Sequence, residues 1–160
     1  MIQHEIRVRQ AVPGDAQAVS NLILENAAAT LLHYYSPRQW EVFLKYYDQE
    51  TVRQKLENHL YFCAELDNEL IGVIGLDRNW VVGFYTKATL LKKGIGTLLM
   101  NHLEDFARKN KIPKLKLASS PVGLEYYYKK GWTKIKEAKL KYFGVEFDET
   151  LMEKELSLVP

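Results

Sequence analysis

The sequence predicts a mixed α/β fold in a single domain, and three observations support this prediction. A chain of 160 residues has about the length of one domain, and its 47% hydrophobic content is enough for one core. Segments with alternating apolar and polar residues are interspersed with segments of helical period. No internal repeat, low-complexity tract or linker divides the chain. We therefore expect residues 1–160 to form one sheet flanked by helices.

The N-terminal part is predicted to be a strand followed by three helices. Apolar positions 6 and 8 alternate with arginines, and the residues PGD at 13–15 provide an N-cap for a helix that should extend to about Asn26. Ser36 and Pro37 are typical of a second helix start. Aromatic and apolar residues then recur at helical spacing, namely Trp40, Phe43, Leu44 and Tyr47. Asp48 begins a third helical pattern that continues through Leu56.

Three strands should follow these helices. The segment YFCAELDNELIGVIGLD contains two apolar runs joined at Asp67 and Asn68, which is a hairpin signal, and residues 80–86 form a third run. Cys63 is the only cysteine and lies in the first run, so we expect it to be buried and no intrachain disulfide to form.

The longest predicted helix begins in the segment LLKKGIGTLLMNHLEDFA, and Pro113 lies just beyond its end. Its predicted apolar face consists of Ile95, Leu98, Leu99, His102, Leu103 and Phe106. Alternation at residues 114–117 then predicts a strand, and Ser120 with Pro121 a helix that ends at Gly131. The segments WTKIKEAKL and LMEKELSL are predicted to be two closing strands.

Composition restricts the classes of function. The longest run without Asp, Glu, Lys or Arg spans residues 26–37, which is shorter than the roughly 18 apolar residues of a membrane-spanning helix. The charged first residues are unlike a signal peptide, so we expect a soluble cytoplasmic protein without a membrane partner. The four histidines, at positions 4, 33, 59 and 102, lack the spacing of metal ligands, so no metal site is expected.

Gly94 and Gly96 precede the long helix and have two interpretations. They can serve only a tight turn, because short glycine patterns are weakly specific. They can also form a loop whose unpaired N–H groups bind a phosphate at the positive end of the helix dipole. The two common phosphate-binding motifs are absent: a dinucleotide fingerprint needs a glycine where Leu99 stands, and a Walker loop needs Gly-Lys-Ser/Thr.

The charge distribution favours a phosphate ligand. Residues 87–141 contain 14 Lys and Arg against 4 Asp and Glu, whereas residues 1–86 contain 7 against 11 and residues 142–160 contain 1 against 5. Such a block is also found in nucleic-acid-binding proteins, and this alternative stays open. Because no aromatic or arginine-rich nucleic-acid motif accompanies the block, a polyphosphate cofactor fits it better.

Three consecutive tyrosines, residues 126–128, indicate a second functional element. Consecutive helical residues of this number spread over about 200° of the helix surface, so one buried stripe does not easily hold all three rings. Gly123 lies one turn before Tyr127, where the missing side chain would let a thin ligand lie against the helix. A purely structural role for the tyrosines in the core is the alternative.

Two motifs resemble signatures of the GNAT superfamily of acyl-CoA-dependent N-acyltransferases. Residues 91–96, LKKGIG, resemble the Gln/Arg-x-x-Gly-x-Gly/Ala cofactor loop, with Leu91 in the first position, and Ala88 stands where the family usually has proline. The segment GLEYYYKKGW resembles the aromatic-Tyr-x-x-x-Gly-aromatic ending. The resemblance covers essentially the whole chain and implies a central, mostly antiparallel sheet with flanking helices.

The resemblance implies acetyl transfer from acetyl-CoA to a primary amine by direct attack, with Tyr127 as the general acid. A backbone N–H at Tyr85 or Thr86 would polarise the thioester carbonyl. The strand at 80–86 contains no carboxylate to act as a base, so Asp77 is the candidate, with a plain turn aspartate as the alternative. Residues expected at the cofactor are Tyr85, Thr86, Leu91, Lys92, Lys93, Gly94, Ile95, Gly96, Thr97, Ser120 and Gly123.

The acidic N-terminal and C-terminal segments favour a cationic acceptor, such as a free amine, a polyamine, an aminoglycoside or a peptide amine. Aromatic residues near the first helices are candidates for its pocket, namely Tyr34, Tyr35, Trp40 and Phe43, the last two with a core role as the alternative. Two other functions stay open: a catalytically weak acyl-CoA-binding or regulatory module of the same fold, and the nucleic-acid-binding protein. A homodimer is compatible with the sequence.

Overall fold

A seven-stranded sheet forms the centre of the computed structural model, which describes residues 5–157. The strands are Arg7–Gln10 (β1), Leu60–Leu66 (β2), Glu69–Asp77 (β3), Trp80–Thr86 (β4), Lys114–Ser119 (β5), Thr133–Tyr142 (β6) and Val145–Glu155 (β7). The α-helices of the same residues are Ala16–Thr30 (α1), Pro37–Tyr46 (α2), Gln49–Asn58 (α3), Ile95–Lys109 (α4) and Leu124–Lys129 (α5). His4 and Leu158, which enter the sequence predictions, lie outside the described residues.

The strands lie in the order β1-β2-β3-β4-β5-β7-β6, and every neighbouring pair is antiparallel except β4 and β5. Helix α4 packs on one face of the sheet, around Leu99 and Leu103. Helices α1 to α3 cover the other face, around Val19 and Val73. The predicted mixed and mostly antiparallel α/β fold is therefore confirmed. None of the helices within residues 5–157 is long and apolar enough to cross a membrane.

The predicted hairpin at Asp67 and Asn68 is confirmed. Both residues have positive φ angles, 51° and 63°, which a two-residue turn between twisted strands requires. A second turn of this kind, at Phe143 and Gly144, was not predicted, and it starts β7 at Val145. The prediction that the last strand begins at position 151 was therefore wrong, because the acidic residues before it belong to the same strand.

Two helices also differ from the predictions, one in its first residue and the other in its buried face. Helix α5 begins at Leu124 and not at Ser120, because Ser120 starts a turn in which the Gly123 N–H donates to its carbonyl at 3.2 Å. In α4 the predicted face residue Leu98 is 39% exposed. Glu104 is buried there instead, since Lys154 Nζ lies 3.0 Å from its carboxylate.

Strands β4 and β5 separate after a short contact, and this separation positions the site. Their register contains the single pair Trp80 and Lys116, where the Lys116 N–H donates to the carbonyl of Asn79 at 2.9 Å. A bulge near Gly83, which has φ of +56°, bends β4 away from β5. The C-terminal halves of the two strands thereby border a cavity of about 860 Å³.

Candidate active site

The cavity beside β4 brings together nearly all of the site residues predicted from the sequence. Lys93 is the exception, since it is exposed outside the lining. The predicted residues that line the cavity are Asp77, Tyr85, Thr86, Leu91, Lys92, Gly94, Ile95, Gly96, Thr97, Ser120, Gly123 and Tyr127. Among the described residues, no group of three or more His, Cys, Asp or Glu is arranged to hold a metal ion.

The start of α4 forms the polar wall of the cavity. Gly94 has φ of +85° and precedes the helix, so a left-handed residue is required at this position. The first hydrogen bond of the helix runs from the Leu98 N–H to the carbonyl of Gly94 at 3.0 Å, and the three preceding N–H groups have no carbonyl within the helix to bond. Gly94 faces open space, since a Cβ at this position would have no neighbouring atom within 4 Å. The loop therefore makes a tight turn and also presents free donors.

Gly96 serves a different purpose from Gly94. A Cβ at this position would lie 3.3 Å from Cζ of Phe84, which is tighter than most contacts of real side chains. The glycine thus allows α4 to approach the ring on β4 closely. As a result the first turn of α4 lies directly over the strand that borders the cavity.

The lysines of the basic block are distributed differently from the prediction. Several of them lie on β5 and β6 and face the acidic strand β7, as in the pairs Lys139 with Asp148 at 2.8 Å and Lys114 with Glu153 at 3.4 Å. The acidic C-terminal segment therefore offsets part of the basic block. Lys92 remains without an ion pair among the described residues and lies on the cavity lining. Free N–H groups and nearby lysines are the donors that a pyrophosphate requires, so this wall fits a nucleotide-type cofactor.

Tyr127 lines the same cavity and belongs to α5. Its ring packs against Trp132 at 5.8 Å and Phe84 at 6.3 Å between centroids, whereas Tyr128 is 50% exposed. The expectation that the three tyrosines do not share one surface is thereby confirmed. Burial, and then the neighbouring Tyr126, raises the pKa of Tyr127 above its ordinary value, so this hydroxyl is protonated at neutral pH.

Gly123 has another role than the one predicted from its spacing. A Cβ at Gly123 would lie 2.9 Å from the ring of Tyr127 and 3.1 Å from Oγ of Ser119. The space that the sequence suggested for a ligand is thus taken by Tyr127 itself. Gly123 lines the cavity, and the absence of a side chain at this position leaves the space that the ring of Tyr127 occupies.

The backbone of β4 distinguishes the two N–H groups predicted to polarise a carbonyl. The Lys87 N–H donates to the carbonyl of Ile71 in β3 at 2.8 Å. Because backbone groups alternate along a strand, the polar groups of Thr86 point away from β3, toward the side where β5 has separated. Asn26 Nδ2 donates to the carbonyl of Thr86 at 2.7 Å on that side. The N–H of Tyr85 points back to β3, which favours Thr86.

Six aromatic rings form a closed circuit on the cavity lining, which we call the aromatic collar. Neighbouring ring centroids in the circuit are 4.8 to 5.9 Å apart. In order around the circuit, the members are Tyr35, Phe43, Tyr47, Tyr46, Tyr142 and Phe147. Two of the four aromatic residues predicted for the acceptor pocket, Tyr35 and Phe43, belong to it. Trp40 stacks on Phe43 outside the lining, and Tyr34 is 53% exposed.

Glu149 lies on the cavity lining next to the collar, and sequence reasoning missed it. The Tyr142 hydroxyl donates to its carboxylate, and burial raises the pKa of Glu149 to about 7 against this hydrogen bond. The signal for Glu149 is its position two residues after the buried Phe147, on the same face of β7. The predicted strand began at position 151, so it did not include this alternation, which starts at Val145.

Asp77, the predicted base, ends β3 and lies on the lining of the same cavity. Its Oδ1 is 3.6 Å from Nδ1 of His59 and 3.4 Å from Nε of Arg78. The carboxylate of Asp77 thus already has two partners, whereas that of Glu149 has the Tyr142 hydroxyl.

The fold and the site together define an acyltransferase, and comparisons with known proteins identify its family. Residues 31–156 match the acetyltransferase (GNAT) domain. A GCN5-related N-acetyltransferase from Rhodopseudomonas palustris superposes with a TM-score of 0.88 at 21% identity, over 98% of this chain and 99% of that chain. The PaiA N-acetyltransferase from Thermoplasma acidophilum, solved in complex with coenzyme A, superposes with a TM-score of 0.76 at 22% identity, over 94% and 99%. None of the curated proteins matches the chain. The protein belongs to the GNAT acetyltransferase family.

Proposed function

We propose that the protein transfers an acetyl group from acetyl-CoA to a primary amine by direct attack. The observation that carries this proposal is the meeting of three groups in one cavity: the free N–H donors at the start of α4, the protonated hydroxyl of Tyr127 and the carboxylate of Glu149. The Thermoplasma acidophilum relative was solved with coenzyme A, which supports the same cofactor here.

Backbone donors are the main contacts of the proposed cofactor site. The N–H groups of Ile95, Gly96 and Thr97 would hold the pyrophosphate at the positive end of the α4 dipole. Lys92, which is free of other ion pairs among the described residues, would add charge beside it. Leu91 has no polar side chain to contribute, so the backbone carries this site. Ser120 also lines the cavity, and the pantetheine arm would pass beside it.

Two groups of the chain would stabilise the transfer itself. The Thr86 N–H would donate to the carbonyl oxygen of the thioester, and donors of this kind typically contribute about 3 kcal/mol. Tyr127 would donate its proton to the sulfur as the carbon–sulfur bond breaks and the carbon–nitrogen bond forms. Burial raises the pKa of Tyr127 above its ordinary value, whereas a free thiol has a pKa near 8.5, so the surroundings of the bound cofactor must close this gap for the proton to move to sulfur.

Glu149 is the group we propose to accept the proton of the amine, with Asp77 as the second candidate. Burial raises the pKa of Glu149 to about 7, and a general base is most effective when its pKa is close to the working pH. Oδ1 of Asp77 lies 3.6 Å from Nδ1 of His59 and 3.4 Å from Nε of Arg78, so this carboxylate already has two partners.

A melting-temperature measurement tests cofactor binding directly. With 1 mM acetyl-CoA and a dissociation constant of ~10 μM, mass action stabilises the folded protein by about 2.7 kcal/mol, and the melting temperature should rise by several degrees. ADP serves as the control ligand. Replacing Lys92 and Lys93 by alanine should reduce the rise, whereas replacing the exposed Lys136 and Lys141 of β6 should not. A rise no larger with acetyl-CoA than with ADP would contradict the proposed cofactor.

Turnover separates the enzyme from a module that only binds the cofactor. Release of the free thiol of coenzyme A in the presence of a panel of amines reports the transfer. A large thermal shift without thiol release from any amine would favour the regulatory module. The nucleic-acid alternative is not supported by the site, because the basic strands β5 and β6 are partly neutralised by β7.

A further inference from the structure

The aromatic collar is built from distant parts of the chain. Tyr35 precedes α2, Phe43 and Tyr46 belong to α2, and Tyr142 and Phe147 lie on opposite sides of the β6–β7 turn. All six rings of the collar line the cavity. Phe43 is also buried in the core beneath α1 to α3, and Tyr35 and Tyr47 pack against that core, so the collar stabilises the fold and borders the cavity at the same time. It forms an aromatic wall against which a ligand in the cavity can lie.

The electrostatic environment of the collar is set by Glu149. Burial first, and the charge of Glu149 second, raise the pKa values of Tyr35, Tyr46 and Tyr142. Glu149 and these three rings line the same cavity, so its charge acts on that part of the collar. A carboxylate combined with aromatic faces is a typical environment for an ammonium group, because the faces of the rings attract a cation.

The number of charges on the lining restricts the ligand to one ammonium group. Among the described residues that line the cavity, the carboxylates are Glu149 and Asp77, and Asp77 is paired with His59 and Arg78. One carboxylate is therefore available. A second ammonium group would be desolvated against aromatic faces or would approach Arg78, and both are unfavourable.

The cationic residues of the lining also argue against an amino-acid ligand. Arg78 is paired with Asp77, Lys130 lies 5.7 Å from the ring of Tyr126, and Lys92 belongs to the α4 loop. None of these three cations contacts a ring of the collar or forms an ion pair with Glu149. Lys55 does contact the collar, with its Nζ 3.6 Å from the ring centroid of Tyr46 and 5.6 Å from that of Tyr47, but it lies outside the cavity lining. The carboxylate of an amino acid in the cavity would therefore meet Glu149 without a cation on the lining beside it.

From this arrangement, and resting on the proposed function, we propose that the acceptor is a small primary monoamine with a flat apolar body. Its ammonium group binds at Glu149, and its body lies against the rings of the collar. The class excludes polyamines, aminoglycosides and amino acids as preferred acceptors, all of which carry further charges. A compound such as 2-phenylethylamine represents the proposed class.

Calorimetric titration of the full chain with coenzyme A present tests this proposal, because it measures binding without turnover. The probes are 2-phenylethylamine, its neutral counterpart 2-phenylethanol, phenylalanine, which adds a carboxylate, and spermidine, which adds charges. We expect 2-phenylethylamine to bind at least tenfold more tightly than each of the other three. Glu149→Gln should lower its affinity to that of 2-phenylethanol. Glu146→Gln, at an exposed position of the same strand, should leave its affinity unchanged.

The outcomes separate this proposal from the proposed function. Tighter binding of spermidine or phenylalanine, no binding of 2-phenylethylamine, or an unchanged affinity in Glu149→Gln would each overturn the acceptor class, even if acetyl transfer to another amine were observed. The expected preference together with its loss in a folded Glu149→Gln variant would support the acceptor class. If the free thiol of coenzyme A were then not released, the proposed acetyl transfer would be excluded, whereas the proposed class of bound amine would still be supported.

Discussion

The side-chain amide of Asn26 donates a hydrogen bond to the carbonyl oxygen of Thr86 at 2.7 Å. Asn26 is 7% exposed and belongs to α1, and Thr86 is the last residue of β4. This bond ties the helix to the strand where β5 no longer pairs with it. Since the same residue, Thr86, supplies the N–H that we propose to contact the thioester, the position of this donor depends on Asn26.

Replacing Asn26 by alanine should therefore affect both stability and turnover. The half-buried carbonyl of Thr86 would lose its partner, which costs about 1–3 kcal/mol when such a group is fully buried and less here. We expect the melting temperature to fall by several degrees and kcat to fall more than the affinity for acetyl-CoA. Asn21→Ala, at an exposed position of the same helix, is the control. Equal melting temperatures for the two variants would show that the bond does not hold the strand.

Tyr127→Phe tests the proposed general acid. Removal of a positioned acid commonly reduces turnover by about 10² to 10⁴. We expect such a loss in kcat with little change in the thermal shift by acetyl-CoA, because the ring and its packing on Trp132 are retained. Tyr128→Phe removes a hydroxyl from the neighbouring exposed ring and should leave kcat unchanged. Matching rates in the two variants would exclude Tyr127 as the acid.

The two candidate bases are distinguished by the dependence of kcat/KM on pH. A base must be ionised, and burial raises the pKa of Glu149 to about 7, so the rate should rise with pH and level off above about 7. Glu149→Gln should lower the rate by about 10²-fold or more and remove this rise. Asp77→Asn should retain both the rate and the profile. The opposite assignment would follow if Asp77→Asn lost the rise and Glu149→Gln kept it.

Local chemistry explains which elements could be predicted from the sequence. The turn at Asp67 and Asn68 consists of residue types that adopt positive φ angles readily. In the loop before α4, Gly94 adopts a positive φ angle, and the residues after it have a clear helical period. Both signals are contained within a few residues. The turn at Phe143 and Gly144 was missed because Phe143 takes a left-handed conformation that is rare for an aromatic residue.

Long-range contacts explain what could not be predicted of the site. The collar joins Tyr35 to Phe147, which lie at opposite ends of the chain and meet only through packing of α2 against β7. By contrast, the cofactor loop and Tyr127 are contained in short motifs. The sequence therefore supported predictions for the donor side of the cavity better than for the acceptor side.

The free energy of unfolding should depend on pH through Glu149. Burial raises its pKa in the folded protein from the ordinary value of 4.5 to about 7. The folded state then binds the proton more tightly than the unfolded state. Its contribution to stability is therefore fully present below about pH 4.5 and is lost as pH rises through about 7.

Glu149→Gln removes this dependence while keeping the shape of the side chain. At pH 8 the parent protein holds a buried charge, so the variant should be the more stable of the two, by about 1–3 kcal/mol in denaturant titrations. At pH 4.5 the difference should disappear, because the parent carboxyl is then largely protonated when folded. Glu146→Gln should differ from the parent protein by the same small amount at both pH values. A variant that is less stable than the parent at pH 8 would mean that the hydrogen bond from Tyr142 outweighs the cost of burying the charge, and Glu149 would then be a structural residue.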